Sequence, residues 1–570
     1  MIGTSGRVAP WRQTNQVICE GGLADTAALL QDPAWRWIFG AFLFAVLLQL
    51  ELIFNRPVNW DEFFHLSEAH AFRNGHLTEV LQVLYARAFF WLPMLPLDSI
   101  GQIQVARLFM LGFELVTVLA IYGVARHFVD NIPAALAALA YLTGGYIFQH
   151  GFSYRADPMA AAFLMGAMWI LVSSRMGPKA VITAAALLAL ALLSTIKSVF
   201  YVPAFAALAW LRWRDAVSRR SMVMRLTLLG GTTILFSLLL LAASLYTMPS
   251  AGSGSVARTV STSGTMMFDE GFFPRAGYIL GAIATAPLLA ALLMATPSAL
   301  IRAPIQSHWR IVLFALLLPL ASLVLYRNAF PYFYVFIVPP AAVAAAFAVK
   351  AILRRMSVKV LCVAFVANAL VVSLATPRSV LDNQREVIAA VHRIFPEPVA
   401  YFDFPGMIVD YPKANFFMTT WGMRKYWNGK EESFADVLAR KTVPLLILND
   451  ETLTRNQTGP APVRVLQPAD GRVLRDTFIP HWGPLWVAGR RFAAGSPAQD
   501  FAIHVPGPYT LEASAARIDG RLIAPGQSIR LERGVHRFEP VRTGETRLRW
   551  GNQLARPAVP YAGGAVFKDF

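Results

Sequence analysis

An apolar run, Trp37-Ile-Phe-Gly-Ala-Phe-Leu-Phe-Ala-Val-Leu-Leu-Gln-Leu-Glu-Leu-Ile-Phe54, is closely followed by the polar stretch Asn59-Trp-Asp-Glu-Phe-Phe-His-Leu-Ser-Glu-Ala-His70. An apolar run of about 17 to 25 residues crosses a bilayer as a helix, because its backbone groups cannot stay unpaired in hydrocarbon. We therefore expect the carboxylates of the second stretch at the membrane surface, directly after a first span. The leader before Trp37 has no clear small-residue cleavage site, which predicts a retained signal anchor.

The rest of the 570 residues shares this apolar character. Hydrophobic residues make up 56% of the chain and charged residues only 15%, whereas soluble domains carry roughly 25% charged residues. The composition excludes an ordinary soluble enzyme and predicts a multi-pass α-helical membrane protein. We expect about eleven spans, which are 37–54, 105–125, 133–150, 157–174, 180–196, 199–211, 226–245, 277–296, 311–326, 331–349 and 358–376.

The distribution of cations orients these spans. Arginine and lysine are concentrated in alternate connections between the spans, and such connections face the cytoplasm by the positive-inside rule. The N-terminal segment 1–36 is then cytoplasmic, residues 55–104 and 246–276 form outer loops of a transmembrane domain 37–376, and everything after Thr376 is outside. The same rule explains the net charge of +17, so we exclude nucleic acid as a partner.

The chain changes character after the last span. Residues 377–495 mix strand-like runs such as 443–448 with helical ones such as 433–440, which predicts an outer α/β domain. Residues 496–570 consist of short alternating segments separated by Pro-Gly and Asp-Gly turns, a pattern typical of a β-sandwich. Both regions are expected in the periplasm, with the spans in a bacterial inner membrane.

The polar stretch after the first span carries the first candidate site. In a helix over 61–72, Asp61, His65 and Glu68 lie on one face, and the adjacent Glu62 adds a second acid. A carboxylate near the apolar boundary is a good general base, because partial desolvation strengthens it as a proton acceptor. Two alternatives stay open: Asp61 caps the helix with Glu62 in its first turn, or Asp61, His65 and Glu68 hold a divalent metal ion.

A second candidate site is the turn Tyr154-Arg155-Ala156-Asp157, between the third and fourth spans. Charged residues at a membrane boundary are costly enough to indicate a role, although an ion pair that also caps the next helix would explain this turn. Four further cations are expected on the outer side, where they suit an anionic ligand such as a lipid phosphate. They are Arg87, Lys197, Arg275 and Arg327.

Together these features resemble the GT-C superfamily, membrane glycosyltransferases that use a polyprenyl- or dolichyl-phosphate-linked sugar. The stretch 61–70, followed by Gly75 and Leu77-Thr78-Glu79, looks like the first outer loop of that superfamily. It is especially similar to the His-Pro-Asp-Glu loop of the lipid-linked mannosyltransferases, with Asn59-Trp60 in place of His-Pro. The turn 154–157 is similar to the second acidic outer motif of the protein O-mannosyltransferase and aminoarabinose transferase branches.

The resemblance implies an inverting transfer of a sugar from a polyprenyl-phosphate donor to a glycan, lipid or protein acceptor on the periplasmic face. Asp61 would be the general base, and Glu62 or Asp157 would orient the acceptor or hold a metal ion. Cations at the membrane boundary would neutralise the charge that grows on the departing phosphate. The candidates for substrate or phosphate binding are Arg155, Lys197 and Arg327 foremost, with Arg87, Arg275, His65 and Tyr154 beside them.

Two other classes of function are compatible with the same sequence. A transporter or flippase for a lipid-linked sugar would line its path with the charges, and it predicts inverted repeats and broken helices at the bilayer midplane. An assembly or binding protein would act through its outer domains and would not need Asp61. The charges of this chain gather at one face, which favours an enzyme.

Overall fold

The computed structural model describes residues 32–77, 83–247 and 271–568. Most of the predicted cytoplasmic segment 1–36 and of the predicted outer loop 246–276 lies outside these residues. The described part is a helical bundle followed by a region of mixed helices and sheets.

The bundle contains long apolar helices and several short ones. Its α-helices are α1 Pro33–Asn55, α2 Trp60–Arg73, α3 Leu84–Ala88, α4 Ser99–Ala125, α5 Asn131–Leu142, α6 Gly145–His150, α7 Ala156–Ser173, α8 Pro178–Ser194, α9 Val202–Arg214, α10 Arg219–Tyr246, α11 Ala276–Thr285, α12 Pro287–Arg302, α13 Ser307–Ala315, α14 Phe333–Ile352 and α15 Val358–Leu374. Short 3₁₀ helices lie at Leu92–Met94, Ile196–Tyr201 and Leu318–Val324.

The number of membrane spans differs from the sequence-based expectation. Within the described ranges, six helices are long and apolar enough to cross a membrane, or up to eight if each bent pair forms one span. The prediction of a multi-pass helical membrane protein is confirmed, but the count of about eleven is not. One predicted span is split into α5 and α6 near Gly144, and another bends by 105° between α11 and α12. Such breaks shorten helices that appear continuous in the apolar pattern.

The centre of the bundle is formed by α5, α7 and α14. Nearly every residue of α14 is buried, whereas α10 exposes most of its surface. Among the buried contacts, the hydroxyl of Tyr141 on α5 donates to the carbonyl of Val335 on α14 at 2.9 Å. The first residues of α7 and α14 lie at the end of the bundle that carries the sheets, which we call the outer end. Arg155 and Asp157, at the start of α7, are therefore attached to the most deeply buried helices of the bundle.

The region after the bundle mixes helices with β-strands. Its helices are α16 Ser379–Ile394, α17 Thr420–Trp427, α18 Phe434–Arg440, α19 Glu451–Thr458 and α20 Pro468–Thr477. Its strands are β1 Tyr401–Phe402, β2 Leu445–Ile447, β3 Phe478–Trp482, β4 Leu485–Phe492, β5 Gln499–Ile503, β6 Gly507–Glu512, β7 Ala516–Ile518, β8 Arg521–Ile523, β9 Ser528–Leu531, β10 Gly534–Pro540 and β11 Thr546–Trp550.

Two sheets organise these strands. The larger has the order β1-β2-β4-β11-β6-β9, with β3 also paired to β4, and the smaller has the order β5-β10-β7-β8. Among the strand pairs of the described residues, β1 and β2 alone are parallel, as in an α/β unit. Phe492 stacks on Phe538 between the two sheets at 3.7 Å, and Phe501, Leu511 and Ile518 share the same buried cluster. The pairing of β4 with β11 carries the larger sheet across the boundary that the sequence places at 495.

Candidate functional site

Asn59 is the N-cap of helix α2, and it fixes the direction of the two acidic residues in the first turn. The side chain of Asn59 accepts a hydrogen bond from the backbone N–H of Asp61 at 3.0 Å, and Glu62 accepts one from the backbone N–H of Asn59 at 3.0 Å. These reciprocal bonds form a capping box. The cap is therefore Asn59 and not Asp61, so the Asp61 carboxylate is available for other contacts.

Four charged side chains form a continuous chain at the outer end of the bundle. Asp61 pairs with Arg155, Nε of Arg155 lies 3.5 Å from Oδ2 of Asp157, and Asp157 pairs with Lys197. The exposed fraction of these side chains ranges from 3% for Asp157 to 16% for Asp61. The structure thus joins residues that the sequence singled out separately on α2, on the turn before α7 and on the 3₁₀ helix at 196–201.

An aromatic wall lies against the two cations of this chain. The guanidinium carbon of Arg155 is 3.4 Å from the ring centroid of Tyr332, and Nζ of Lys197 is 5.5 Å from the same ring. The rings of Phe333 and Phe336 lie 5.7 and 5.8 Å from Nζ of Lys197. Ring faces attract these partly desolvated cations in addition to the carboxylates that pair with them. Two cations and two carboxylates in one partly dry cluster form a site that can exchange a partner for an incoming anion.

Glu62 has a different environment from its neighbour Asp61. Both of its oxygens accept from Arg107, at 2.8 Å from Nε and 2.6 Å from Nη2, and Oε1 also accepts from the backbone N–H of Tyr154 at 2.9 Å. Burial alone would raise the pKa of Glu62, but Arg107 and the backbone donors hold this pKa below its usual value. A catalytic role for Glu62 stays a prediction, and the structure favours a structural role, because the buried carboxylate accepts hydrogen bonds from Arg107, Tyr154 and Asn59.

His65 and Tyr154 present unused polar atoms beside the charged chain. His65 Nδ1 and the Tyr154 hydroxyl are both buried, and neither has a hydrogen-bond partner within the described residues. Burial, together with the positive charges of Arg155 and Lys197, lowers the pKa of His65 well below its usual value. A neutral imidazole and a phenol can position a polar substrate by hydrogen bonding without adding charge.

The predicted metal site is not formed by these side chains. No group of three or more His, Cys, Asp or Glu side chains close enough to hold a metal ion occurs in residues 32–77, 83–247 and 271–568. Asp61 pairs with Arg155, while Glu68 lies close enough to Tyr85 and Tyr154 to raise the pKa of both, in addition to the effect of burial. The interpretation of Asp61, His65 and Glu68 as three metal ligands is therefore wrong, because a shared helix face does not make their side chains converge.

The remaining predicted cations are distributed around the site. Arg275 lies over the ring of Phe330 at 4.8 Å, and Phe330 stacks on Tyr332 at 5.9 Å, so two stacked rings connect Arg275 to Arg155. Arg87 lies over the ring of Phe72 at 5.5 Å. Arg327 is buried. Of the four cations, Lys197 lies in the ion-paired chain, and a role of the other three in binding an anion stays a prediction.

Three further residues of the site escaped the sequence-based prediction. Tyr332, which supports Arg155, lies in a run rich in aromatic residues and carries no signal of its own. Arg107 and Glu114 lie inside the apolar helix α4, where an ionisable residue is itself a signal. Glu114 accepts from Gln49 at 2.9 Å, and its carboxylate leaves no room for a Cβ on Gly151 at the start of the turn that carries Arg155.

Aromatic residues of the sheet region cover helix α2. Phe64 stacks on Phe417 at 4.4 Å, and Trp60 lies 5.7 Å from Phe404. Phe567 lies 5.8 Å from Phe63 and 6.4 Å from Trp60. Helix α2, which carries Asp61, is therefore clamped between the bundle and these aromatic side chains. One of them, Phe567, belongs to the segment that follows β11.

We expect the replacement Phe567→Ala to loosen helix α2. Removing a partly buried ring costs about 1–2 kcal/mol of stability, and the loss falls on the helix that the ring contacts. The measurement is amide hydrogen exchange of peptides covering 60–73, which should become faster. Val559→Ala removes an exposed side chain from the same segment and serves as the control; equal exchange in both variants would contradict the clamp.

Comparisons with known proteins found solved structures of similar fold but no protein of similar sequence. No protein-family model matches the chain, and no curated protein sequence matches it. The crystal structure of ArnT from Cupriavidus metallidurans bound to undecaprenyl phosphate matches with a TM-score of 0.52 and 12% identity, over 76% of this chain and 96% of that one. The apo structure of the same protein matches with a TM-score of 0.51 over the same shares.

A third match is the archaeal oligosaccharyltransferase AglB from Archaeoglobus fulgidus, in complex with an inhibitory peptide and a dolichol-phosphate. Its TM-score is 0.46 at 12% identity, over 74% of this chain and 70% of that one. The match to ArnT covers nearly the whole of the ArnT chain. The expected architecture is thereby confirmed at the level of the fold: this chain is a multi-pass membrane protein that shares the fold of ArnT.

Proposed function

We propose that the protein is a membrane glycosyltransferase that moves a sugar from a polyprenyl-phosphate donor to a glycan, lipid or protein acceptor, with inversion at the anomeric carbon. Its place would be a bacterial inner membrane, with the sheet region in the periplasm. The observation that carries the proposal is the partly dry chain Asp61–Arg155–Asp157–Lys197. The fold shared with ArnT, a protein solved with undecaprenyl phosphate bound, supports it.

The donor phosphate would bind to Arg155 and Lys197. Each cation is neutralised in the free protein by a carboxylate, so an incoming phosphate competes with Asp61 and Asp157. Phosphate oxygens match the planar donors of arginine better than a single carboxylate oxygen does. Binding of the donor therefore releases Asp61 from Arg155 at the moment when a base is needed.

The released Asp61 would act on the acceptor hydroxyl. Its carboxylate takes the hydroxyl proton while the oxygen forms a bond to the anomeric carbon, and the bond from that carbon to the phosphate oxygen breaks with its electron pair. The departing polyprenyl phosphate gains one negative charge, which Arg155 and Lys197 stabilise. One displacement with one base gives an inverted product, and His65 and Tyr154 are placed to orient the acceptor.

The same geometry favours an enzyme over a transporter. The ion-paired chain lies at the start of α7 and beside the start of α14, at the outer end of the bundle. A transporter path would place charges near the bilayer midplane between repeated halves. Gln49 on α1 and Glu114 on α4 form a hydrogen-bonded polar pair within the bundle, and Gln49 also donates to the carbonyl of Phe148, shortly before the turn at Gly151.

We expect Lys197→Ala to weaken binding of undecaprenyl phosphate to the purified full-length protein by about 10- to 100-fold. The loss corresponds to one hydrogen bond to a charged group, worth roughly 1.5–3 kcal/mol. Lys197→Arg should retain most of the affinity, since it keeps the charge next to Tyr332. The measurement is a titration with undecaprenyl phosphate in detergent micelles.

Lys179→Ala is the matched control for this titration. Lys179 is exposed at the start of α8, whereas Lys197 lies just beyond the other end of that helix, so the control is on the side predicted to be cytoplasmic. Unchanged affinity in Lys197→Ala, or an equal loss in Lys179→Ala, would contradict the assignment of the phosphate site.

A further inference from the structure

A second feature of the bundle lies between α9 and α10, on the side that the positive-inside rule assigns to the cytoplasm. These two helices form a hairpin joined by the short connection 215–218. Between them is an open groove of about 460 Å³. It is lined by Ala209, Trp210, Trp213, Val223, Leu226 and Thr227.

Two arginines lie at the rim of this groove, each over one of its tryptophans. The guanidinium carbon of Arg214 is 5.6 Å from the ring centroid of Trp210, and that of Arg219 is 5.2 Å from the ring of Trp213. Both arginines are exposed. Neither lies within ion-pairing distance of a carboxylate in the part of the chain that the structure describes.

Neighbouring arginines of the same hairpin are used differently. Arg212 donates to the carbonyls of Val172 and Ser174, and Arg225 donates to the carbonyl of Arg175. These two side chains tie the hairpin to the adjacent connection between α7 and α8. Arg212 and Arg225 therefore have a structural role, whereas Arg214 and Arg219 direct their charge outward at the rim of an apolar groove.

We propose that this groove binds an anionic phospholipid, with an acyl chain between Trp210 and Trp213 and the head group on Arg214 and Arg219. The lining of the groove is apolar and its rim is positive, which complements a lipid that joins an apolar chain to a negative head group. The cytoplasmic leaflet carries such lipids, and each arginine near its surface attracts them by about 1 kcal/mol, or about fivefold. The site is independent of the proposed transferase activity.

The test uses the full-length protein in nanodiscs of equal parts phosphatidylglycerol and phosphatidylcholine, with bromine on the acyl chains of one lipid at a time. Bromine quenches tryptophan fluorescence on contact, and a Trp210→Phe/Trp213→Phe variant isolates the signal of the groove. We expect the groove tryptophans to be quenched more by brominated phosphatidylglycerol, corresponding to at least a fivefold local enrichment. Arg214→Gln/Arg219→Gln should remove the difference, and Arg214→Lys/Arg219→Lys should keep most of it.

The matched control is Arg354→Gln/Arg355→Gln, which removes two exposed charges from the connection between α14 and α15 on the same side. It should leave the preference unchanged. Equal quenching by the two lipids in the unmodified protein would overturn the proposal. An equal loss of preference in the control would also overturn it, because the effect would then arise from the general charge of that face.

Discussion

Replacing Asp61 by Asn is expected to lower sugar transfer by about 10²–10⁴-fold, the usual contribution of a general base, while the protein stays folded. Asparagine has nearly the same shape as aspartate but cannot take a proton from the acceptor hydroxyl. The capping box of α2 is formed by Asn59 and Glu62, so helix α2 retains its first turn. Binding of undecaprenyl phosphate should become tighter, because Arg155 loses the carboxylate that competes with the phosphate.

This combination of slower transfer and tighter phosphate binding distinguishes a base from a structural ion pair. The measurements are release of undecaprenyl phosphate from undecaprenyl-phosphate-linked sugars incubated with the purified protein, and titration with undecaprenyl phosphate itself. Asp382→Asn is the control, since Asp382 is an exposed carboxylate on α16 that pairs only loosely with Arg385 at 3.6 Å. Undiminished transfer by the Asp61→Asn variant would eliminate the base assignment.

The charged members of the site could be predicted because charge at a membrane boundary is rare enough to be informative. Asp61, Arg155, Asp157 and Lys197 were each identified by position relative to an apolar run, and the structure places them in one chain. Their order of pairing could not be predicted, since it depends on how α2 is oriented against α7. Tyr332 was missed for a related reason: an aromatic side chain is unremarkable in an apolar run, and only the packing places it under Arg155.

The helical bundle could be predicted because hydrophobicity determines it. The breaks within its helices and the long-range pairing of the strands could not be predicted from local sequence. Apolar runs identified the bundle, but the break near Gly144 and the bend between α11 and α12 lie inside runs that read as continuous. In the region after α15, turn residues indicated short strands. The pairing of β4 with β11, however, joins segments that a local pattern assigns to separate domains.

Replacing Glu62 by Gln is expected to destabilise the protein by about 3–5 kcal/mol, the usual cost of leaving a buried charge without its partner. Glutamine keeps one acceptor oxygen but leaves the guanidinium of Arg107 buried without a negative charge. The measurement is the free energy of unfolding in detergent, compared with Glu51→Gln, which removes a carboxylate paired with the exposed Arg378. A change below about 1 kcal/mol, the range for exposed pairs, would contradict this structural role.

The double variant Glu62→Gln/Arg107→Gln separates the charge from the other contacts of Arg107. Removing both charges should recover part of the lost stability, because the uncompensated guanidinium is gone. Recovery should be incomplete, since Arg107 also donates to the carbonyls of Ile53, Arg56 and Pro57 at 2.9 to 3.1 Å.

Successive residues lie about 100° apart around a helix, so Glu62 points into the bundle while Asp61 points along its outer end. Replacing these two adjacent carboxylates should therefore give different phenotypes: the Glu62 variant loses stability, and the Asp61 variant loses transfer activity.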